Sequence, residues 1–286
     1  MSTTDPVILT PQHADVLDRF LTTRPETSLV LLSNSRAAGL VDAGDLFQGT
    51  YAAYIEDGAI VGVAAHYWNG MVFLQAPKGA PDLLRAATAA SGREWSGVAG
   101  PYEQILQVLP DVSRAHPAPA MNDRDVLFSL RLDDLVVPEP LARGDVSCRR
   151  PRDDELPAMV ELRIAFMREH LGRWMRDTRE DEAREIVSEL HRTDRLRLLE
   201  CGGCIVATAA INAAVPVMVQ VGAVYTAPEY RDRGYGRAVV AGLLLEARAR
   251  GVRSAVLFTG TAMHAARRAY ESVGFRPIGE YGLVIF

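Results

Sequence analysis

Residues 217–250 read VMVQVGAVYTAPEYRDRGYGRAVVAGLLLEARAR, and the reading of this stretch decides the fold. Val219, Val221, Ala223 and Tyr225 alternate with Met218, Gln220, Gly222 and Val224, the period-two pattern of a strand. Ala227-Pro228 ends it, because proline has no N–H to give to a sheet ladder. Residues 229–236 form a polar loop with two glycines. From Arg237 onward Val240, Leu243, Leu244 and Ala247 recur at helical spacing, up to the stop at Gly251. The order is strand, glycine loop, helix. Such a loop delivers free amides at a helix N-terminus, where about half a unit of positive dipole charge sits, and this suits it to phosphate.

Within the loop, Arg231-Asp232-Arg233-Gly234-Tyr235-Gly236 has the form R-x-x-G-x-G. Glycine at 234 and 236 lets backbone approach a diphosphate with no Cβ in the way. Arg231, Arg233 and Arg237 bring positive charge to the same place. Over six residues alone, a surface turn rich in Arg and Gly reads the same way; the flanking strand and helix separate the two readings. No Gly-Lys-Ser/Thr follows, so this is not a P-loop. The third position after Gly236 is Val239, which excludes the dinucleotide fingerprint.

These residues resemble the GNAT-type N-acetyltransferases. In that family Arg/Gln-x-x-Gly-x-Gly/Ala follows a strand and opens a helix, as Arg231, Gly234 and Gly236 do here. Downstream, 254–258 is an apolar strand and 262–273 a helix, and Tyr270-Glu271-Ser272-Val273-Gly274-Phe275 resembles the family's Tyr-x-x-x-Gly-Phe ending. The resemblance covers roughly 145–286 and is most specific over 217–286. One position departs: Met263 stands where relatives often carry Asn in N-x-x-A-x-x-x-Y, although the alanine is present as Ala266.

The resemblance implies acetyl-CoA as co-substrate. Its diphosphate would lie on the amides of Arg231, Asp232, Arg233, Gly234, Tyr235, Gly236 and Arg237, and its pantetheine on the backbone of Val224 and Thr226. Tyr270 would be the general acid, since a phenol of ordinary pKa near 10 is neutral beforehand and can protonate a leaving thiolate. The base is not identified. Gln220 occupies a position where some relatives place a glutamate, and an amide takes no proton. Glu161, Glu169, His170 and Glu200 are candidates, as are a chain of waters and an acceptor arriving as free amine.

The 286 residues suffice for two domains. With 48% apolar and 23% charged residues the chain can build full cores. A net charge of −5 and a pI near 5.7 argue against nucleic acid as the main ligand. No apolar run reaches the length of a membrane span. Met1-Ser-Thr-Thr-Asp lacks the basic and apolar regions of a signal peptide, so a cytoplasmic location is expected. Cys201-Gly-Gly-Cys204 is a C-x-x-C with no second pair to complete a metal site. Gly202-Gly203 between strand-like 195–200 and 205–211 reads instead as a two-residue hairpin turn that sets the thiols opposite each other. The histidines show no ligand spacing, and no metal is expected.

In chain order, 13–22 reads as a helix, 28–32, 50–55, 59–68 and 71–74 as strands, 81–90 as a helix, 95–99 as a strand and 102–109 as a helix. Residues 111–124 read as irregular chain and 126–132 as a strand closing the first sheet. The second half opens with a strand at 146–150. A helix capped by Asp153 or Asp154 then runs to His170, a second helix covers 179–191, and the last strand is 279–286. Phe73-Leu74-Gln75-Ala76-Pro77 stands where Val224-Tyr225-Thr226-Ala227-Pro228 does. From Pro77 to Gly92 is 15 positions and from Pro228 to Gly251 is 23, a difference about the length of the phosphate loop.

The expectation is therefore an α+β chain of two GNAT-like domains, each a mixed, mostly antiparallel sheet flanked by helices. Residues 1–135 would form a degenerate copy without the cradle, 136–144 a linker, and 145–286 the acetyltransferase domain. His66-Tyr67-Trp68-Asn69 and Arg173-Trp174-Met175 read as core in preference to acceptor contacts. The expected activity is acetyl transfer from acetyl-CoA to a small-molecule amine, with neither nucleic acid nor membrane as partner. A non-catalytic acyl-CoA sensor and an enzyme acting on a protein amine are the competing classes.

Overall fold

The structure, a computed structural model, describes residues 5–119, 121–170 and 180–286, with the backbone alone for His170. Its residues fall into two units, Met1–Val126 with Gly279–Phe286, and Leu127–Ile278.

In the first unit, β1 (Val7–Ile8) precedes helices α1 (Ala14–Thr22) and α2 (Pro25–Ala38). Three antiparallel strands follow, β2 (Gly49–Glu56), β3 (Ala59–Tyr67) and β4 (Met71–Gln75), with Asp57 and Gly58 at positive φ in the first turn. Helix α3 (Ala80–Ser91) crosses to β5 (Gly97–Pro101), which runs parallel to β4; α4 (Tyr102–Ala115) and β6 (Met121–Arg131) come next. Leu74, Leu83, Leu84, Val98, Ile105 and Val108 form the centre of the core between sheet and helices.

The second unit repeats this order. The short helix α5 (Glu139–Arg143) lies in the expected linker, and β7 (Ser147–Arg149) opens the sheet. Helices α6 (Leu156–His170) and α7 (Glu180–Arg192) precede the antiparallel strands β8 (Leu196–Cys201), β9 (Cys204–Val215) and β10 (Met218–Thr226). Then come α8 (Tyr235–Ala249), β11 (Ser254–Gly260) parallel to β10, and α9 (His264–Ser272). The sheet order is β7-β8-β9-β10-β11, with β6 beside β11. The last strand, β12 (Arg276–Ile285), places residues 281–285 antiparallel to β5 in the first unit. A cut at 136–144 therefore does not describe the compact units: 127–135 belong with the second and 279–286 with the first. Strand pairing is decided by backbone partners far along the chain, which composition does not reveal.

Other expectations change for local reasons. Residues 28–32 are helical, inside α2, not a strand. Ser28, Leu29, Leu31, Leu32, Ser33 and Asn34 are all buried, so the helix shows no polar stripe, and a short apolar run reads alike in both periods. Pro25 at the first helical position marks the start. Helix α4 continues through Pro110 to Ala115, and β6 begins at Met121, where irregular chain was expected. The buried stripe Ile105, Val108, Val112 outweighs the lost hydrogen bond. Neither Asp153 nor Asp154 caps the turn before α6; Arg152 is the cap residue, and its N–H donates to Glu155 Oε2 at 2.7 Å. Among the described residues no helix is long and apolar enough to cross a membrane.

Two contacts hold α8 against its sheet. Arg197 on β8 is 2% exposed and pairs with Glu246 of α8 at 2.6 Å and with Asp194 at 2.9 Å. Burying a guanidinium is costly unless such partners meet it. At Gly242 the helix touches β7, where a Cβ would sit against Cys148, 2.6 Å from its sulfur. Gly242→Ala should therefore lower unfolding free energy by about 1–3 kcal/mol through overpacking, read as a shift of the urea midpoint at unchanged slope.

Asp125 of β6 is 4% exposed, and burial, with Asp123 adding repulsion, pushes its carboxyl up to about 7. A carboxyl raised in the folded state favours folding below its unfolded value and penalises it as pH climbs through about 7. Asp125→Asn should raise the melting temperature at pH 8, by a term of up to roughly 4 kcal/mol, and leave it little changed at pH 4.

Candidate functional site

The site grows from an irregularity in β10. Its first residues pair with β11, Met218 to Ser254, Val219 to Ala255 and Gln220 to Val256. On its other side β10 follows β9 through two register shifts. Between Gln220 and Val221 the extra residue is Asn212 on β9; between Gly222 and Tyr225 the extra residue lies on β10, where Ala223 and Val224 together face Ala209. Ala223 takes φ +48°, a strained conformation for a residue with a Cβ. Bulges bend a strand and raise its twist, and no pairing between β10 and β11 follows Val256 among the described residues. The alternation read over 218–225 thus changes phase within the strand: Tyr225 is buried while Val224 and Thr226 are half-buried.

The parted strand leads through Ala227-Pro228 into α8. Asp232 and Gly234 both adopt left-handed backbone, with φ +61° and +79°. Gly234 is the cap residue and no side chain caps the helix. Ala238 donates to Gly234 O at 3.2 Å, so the amides of Gly234, Tyr235, Gly236 and Arg237 precede the first helical hydrogen bond. A Cβ on Gly236 would meet only Thr226 Oγ1, at 3.5 Å. The protein itself does not need glycine there. A Cβ on Gly234 would come within 2.9 Å of Arg237 Nε, so the Arg237 guanidinium lies over the loop.

A cleft of about 710 Å³ joins these features. Its lining includes Val224, Tyr225, Thr226, the loop from Arg231 to Arg237 apart from Arg233, and α9 from Ala265 to Tyr270 apart from Arg267. Thus the structure brings Tyr270 and the glycine loop to one cavity. Arg231 Nε donates to Thr226 O at 3.0 Å, its terminal nitrogen pairs with Glu169 Oε2 at 2.6 Å, and its guanidinium lies 5.5 Å from the Tyr225 ring centre. Glu169, beside the Arg231 cation, raises the guanidinium's pKa further.

Tyr270 is 9% exposed, with its ring edge-on to Phe275 at 6.2 Å and to Phe128 at 6.5 Å. Burial pushes its phenol up to about 12. No hydrogen bond to its hydroxyl is present among the described residues.

Of the candidate bases whose side chains are described, Glu169 alone lines the cleft. Glu200 is held with Glu155 on the Arg149 guanidinium, and Glu161 is exposed on α6. The His170 side chain and Arg173-Trp174-Met175 lie outside the described residues. Gln220 is 7% exposed within the paired part of β10 and is absent from the lining, so it stands too early in the strand to meet the cleft. Met263 does line it. Arg268 was missed: it lies two residues before Tyr270 and lines the cleft, and the Arg267-Arg268 pair just before Tyr270 is a signal that could have found it. His66 and Tyr67 are core, as expected; His66 Nδ1 meets Ser91 Oγ at 2.6 Å and the Tyr67 hydroxyl meets that of Tyr51 at 2.9 Å.

The matching place in the first unit is built differently. Half of the eight-residue length difference lies in the loop and the rest at the helix, since α3 starts three positions after Pro77 and α8 seven after Pro228. Pro81 in the first turn of α3 has no N–H, and Asp82 sets a carboxylate there. The Tyr54 ring covers Gly79, the cap residue. Gln104 Oε1 accepts from Ala76 N at 2.6 Å, just where β4 runs out of sheet partners, and a Cβ on Gly100 would meet Leu74 O at 2.9 Å. The pairing of β4 with β5 reaches Phe73 and Ala99, and Gly100 still lies against Leu74.

Strand order, parted strands and an amide-rich helix start together define a GNAT-type fold. Residues 157–275 match the model of the Acetyltransferase (GNAT) family. Among solved structures, it resembles a Drosophila protein at 13% identity and TM-score 0.67, covering 98% of each chain. A tandem GNAT protein from the clavulanic acid biosynthesis pathway is similar at 14% identity and TM-score 0.56, covering 98% of this chain and 97% of that one. A GCN5-related N-acetyltransferase from Sphaerobacter thermophilus is similar at 16% and TM-score 0.58, covering 98% and 94%. At these identities the likeness is one of fold, and the fold is the tandem one. No curated protein matches the sequence.

Proposed function

We propose that this chain transfers the acetyl group of acetyl-CoA to the amine of a small molecule. One observation carries this reading: free amides at the start of α8, the unpaired edge of β10 and Tyr270 line a single cleft. The residues fit the co-substrate. A diphosphate suits the amides of 234–237 with Arg233 and Arg237 beside them, and Gly236 leaves room that the protein's own packing does not use. The backbone of Val224 and Thr226 offers unpaired strand groups for pantetheine amides. Arg231 already donates to Thr226 O, so the guanidinium yields that acceptor when pantetheine takes it.

Bound acetyl-CoA supplies an electrophilic thioester carbonyl. An amide of the bulge beside Ala223 would polarise that carbonyl. Tyr270 serves the leaving sulfur, and the burial of its phenol bears on how. Burial raises the phenol, which makes full proton transfer to a thiolate harder than it is for a phenol in water. Tyr270 therefore stays neutral and donates a hydrogen bond to the developing thiolate, a charge-assisted contact worth roughly 1.5–3 kcal/mol. Glu169 is committed to Arg231, so the acceptor enters as free amine and its proton leaves through water.

The cleft takes the co-substrate, and its charge bears on the acceptor. A cleft of about 710 Å³ falls within the range of small-molecule sites. Glu169 and Asp232 are outnumbered there by Arg231, Arg237 and Arg268, which disfavours a basic peptide. Pro81, Asp82, Tyr54 and Gln104 support the reading of the first unit as a copy that takes no acyl-CoA.

Tyr270→Phe should lower kcat about 10–100-fold, the loss of one charge-assisted hydrogen bond, with the acetyl-CoA Kd unchanged. An equal kcat removes Tyr270 from the mechanism. Calorimetric titration with CoA should give one site per chain. Gly236→Val should raise that Kd at least about tenfold, ~1.4 kcal/mol, without lowering the melting temperature. Binding of CoA with no thiol released on any amine would make the protein a sensor instead.

A further inference from the structure

Cys201 and Cys204 end β8 and begin β9, directly opposite each other across Gly202-Gly203, both glycines at positive φ. Opposed residues of an antiparallel pair have Cα atoms roughly 4.5–5.5 Å apart, inside the span of about 4.4–6.8 Å that a disulfide needs. Both thiols are free, Cys204 exposed and Cys201 half-buried. The hairpin tip also touches the glycine loop at its two ends. The Tyr235 hydroxyl, on the first residue of α8, donates to Cys201 Sγ at 3.3 Å. The Tyr230 phenol stands near Cys204, whose thiol raises its pKa. The first residue of α8 is thus seated on the hairpin tip.

We propose that Cys201 and Cys204 are a reversible redox modification site whose oxidation loosens the diphosphate loop. The proposal rests on the acyl-CoA reading of that loop. A hydroperoxide is the oxidant. One thiolate attacks a peroxide oxygen and displaces the alkoxide, which leaves as alcohol, and the sulfur becomes a sulfenic acid. The second thiolate attacks that sulfur and water departs. Two thiols and one hydroperoxide give one disulfide, one alcohol and one water. The new bond draws the sulfurs toward each other across the tip. Tyr235 then loses the seat that fixes it, and with it goes the alignment of the amides at the start of α8. A dithiol reverses the change by exchange.

The test uses the full chain, reduced or treated with hydrogen peroxide, with CoA as probe. Intact mass should show loss of two hydrogens, and peptide mapping should place the bond between Cys201 and Cys204. The CoA Kd should rise about tenfold, ~1.4 kcal/mol, and return with dithiothreitol. Cys204→Ser should abolish the response. Tyr235→Phe should still form the bond while its CoA Kd responds less to oxidation. Failure of the bond to form, or a bond with unchanged Kd, overturns the redox site and leaves the transferase reading intact. Absence of CoA binding by the reduced protein sinks both.

Discussion

The site depends on β10 parting from β11 after Gln220. A parallel pair that stayed in register would satisfy its own backbone groups and leave no edge for a ligand. The two offset bulges, Asn212 on β9 and the Ala223–Val224 step on β10, turn the strand away. The cost falls on Ala223, held at φ +48°, a strain of the kind that persists where surrounding structure enforces it. The same departure carries the chain to the start of α8, so the open edge and the unbonded amides border one cavity.

Charge completes what backbone geometry begins. Arg231 is held by Glu169, by Thr226 O and over Tyr225, while Arg237 lies across Gly234. The helix start adds its own positive potential. None of this would hold its place if α8 could slide, and Arg197 with Glu246, together with the close approach at Gly242, fixes the helix on its sheet.

The first unit shows how small the differences are between a cleft and a closed fold. Its strand order is the same, and α3 begins with a left-handed glycine as α8 does. Yet Pro81 deletes an amide, Asp82 opposes an anion, and the Gln104 side chain occupies the backbone edge. A shorter loop is not the whole difference; Pro81, Asp82 and the Gln104 side chain also stand at the matching place.

Much of this was legible in one dimension. Strand, glycine loop and helix over 217–250, the Tyr270 helix and the hairpin at Gly202-Gly203 follow from local periodicity and turn chemistry, which depend on near neighbours. What tertiary structure decided involves partners remote in sequence. The exchange of 127–135 and 279–286 between units rests on strand pairing. The helical state of 28–32 rests on burial from all sides. The Tyr270 phenol is raised by surroundings that no local pattern encodes. The bulge was illegible because alternation records only which residues are apolar, whereas the phase slip at Ala223 comes from the register of β9 against β10.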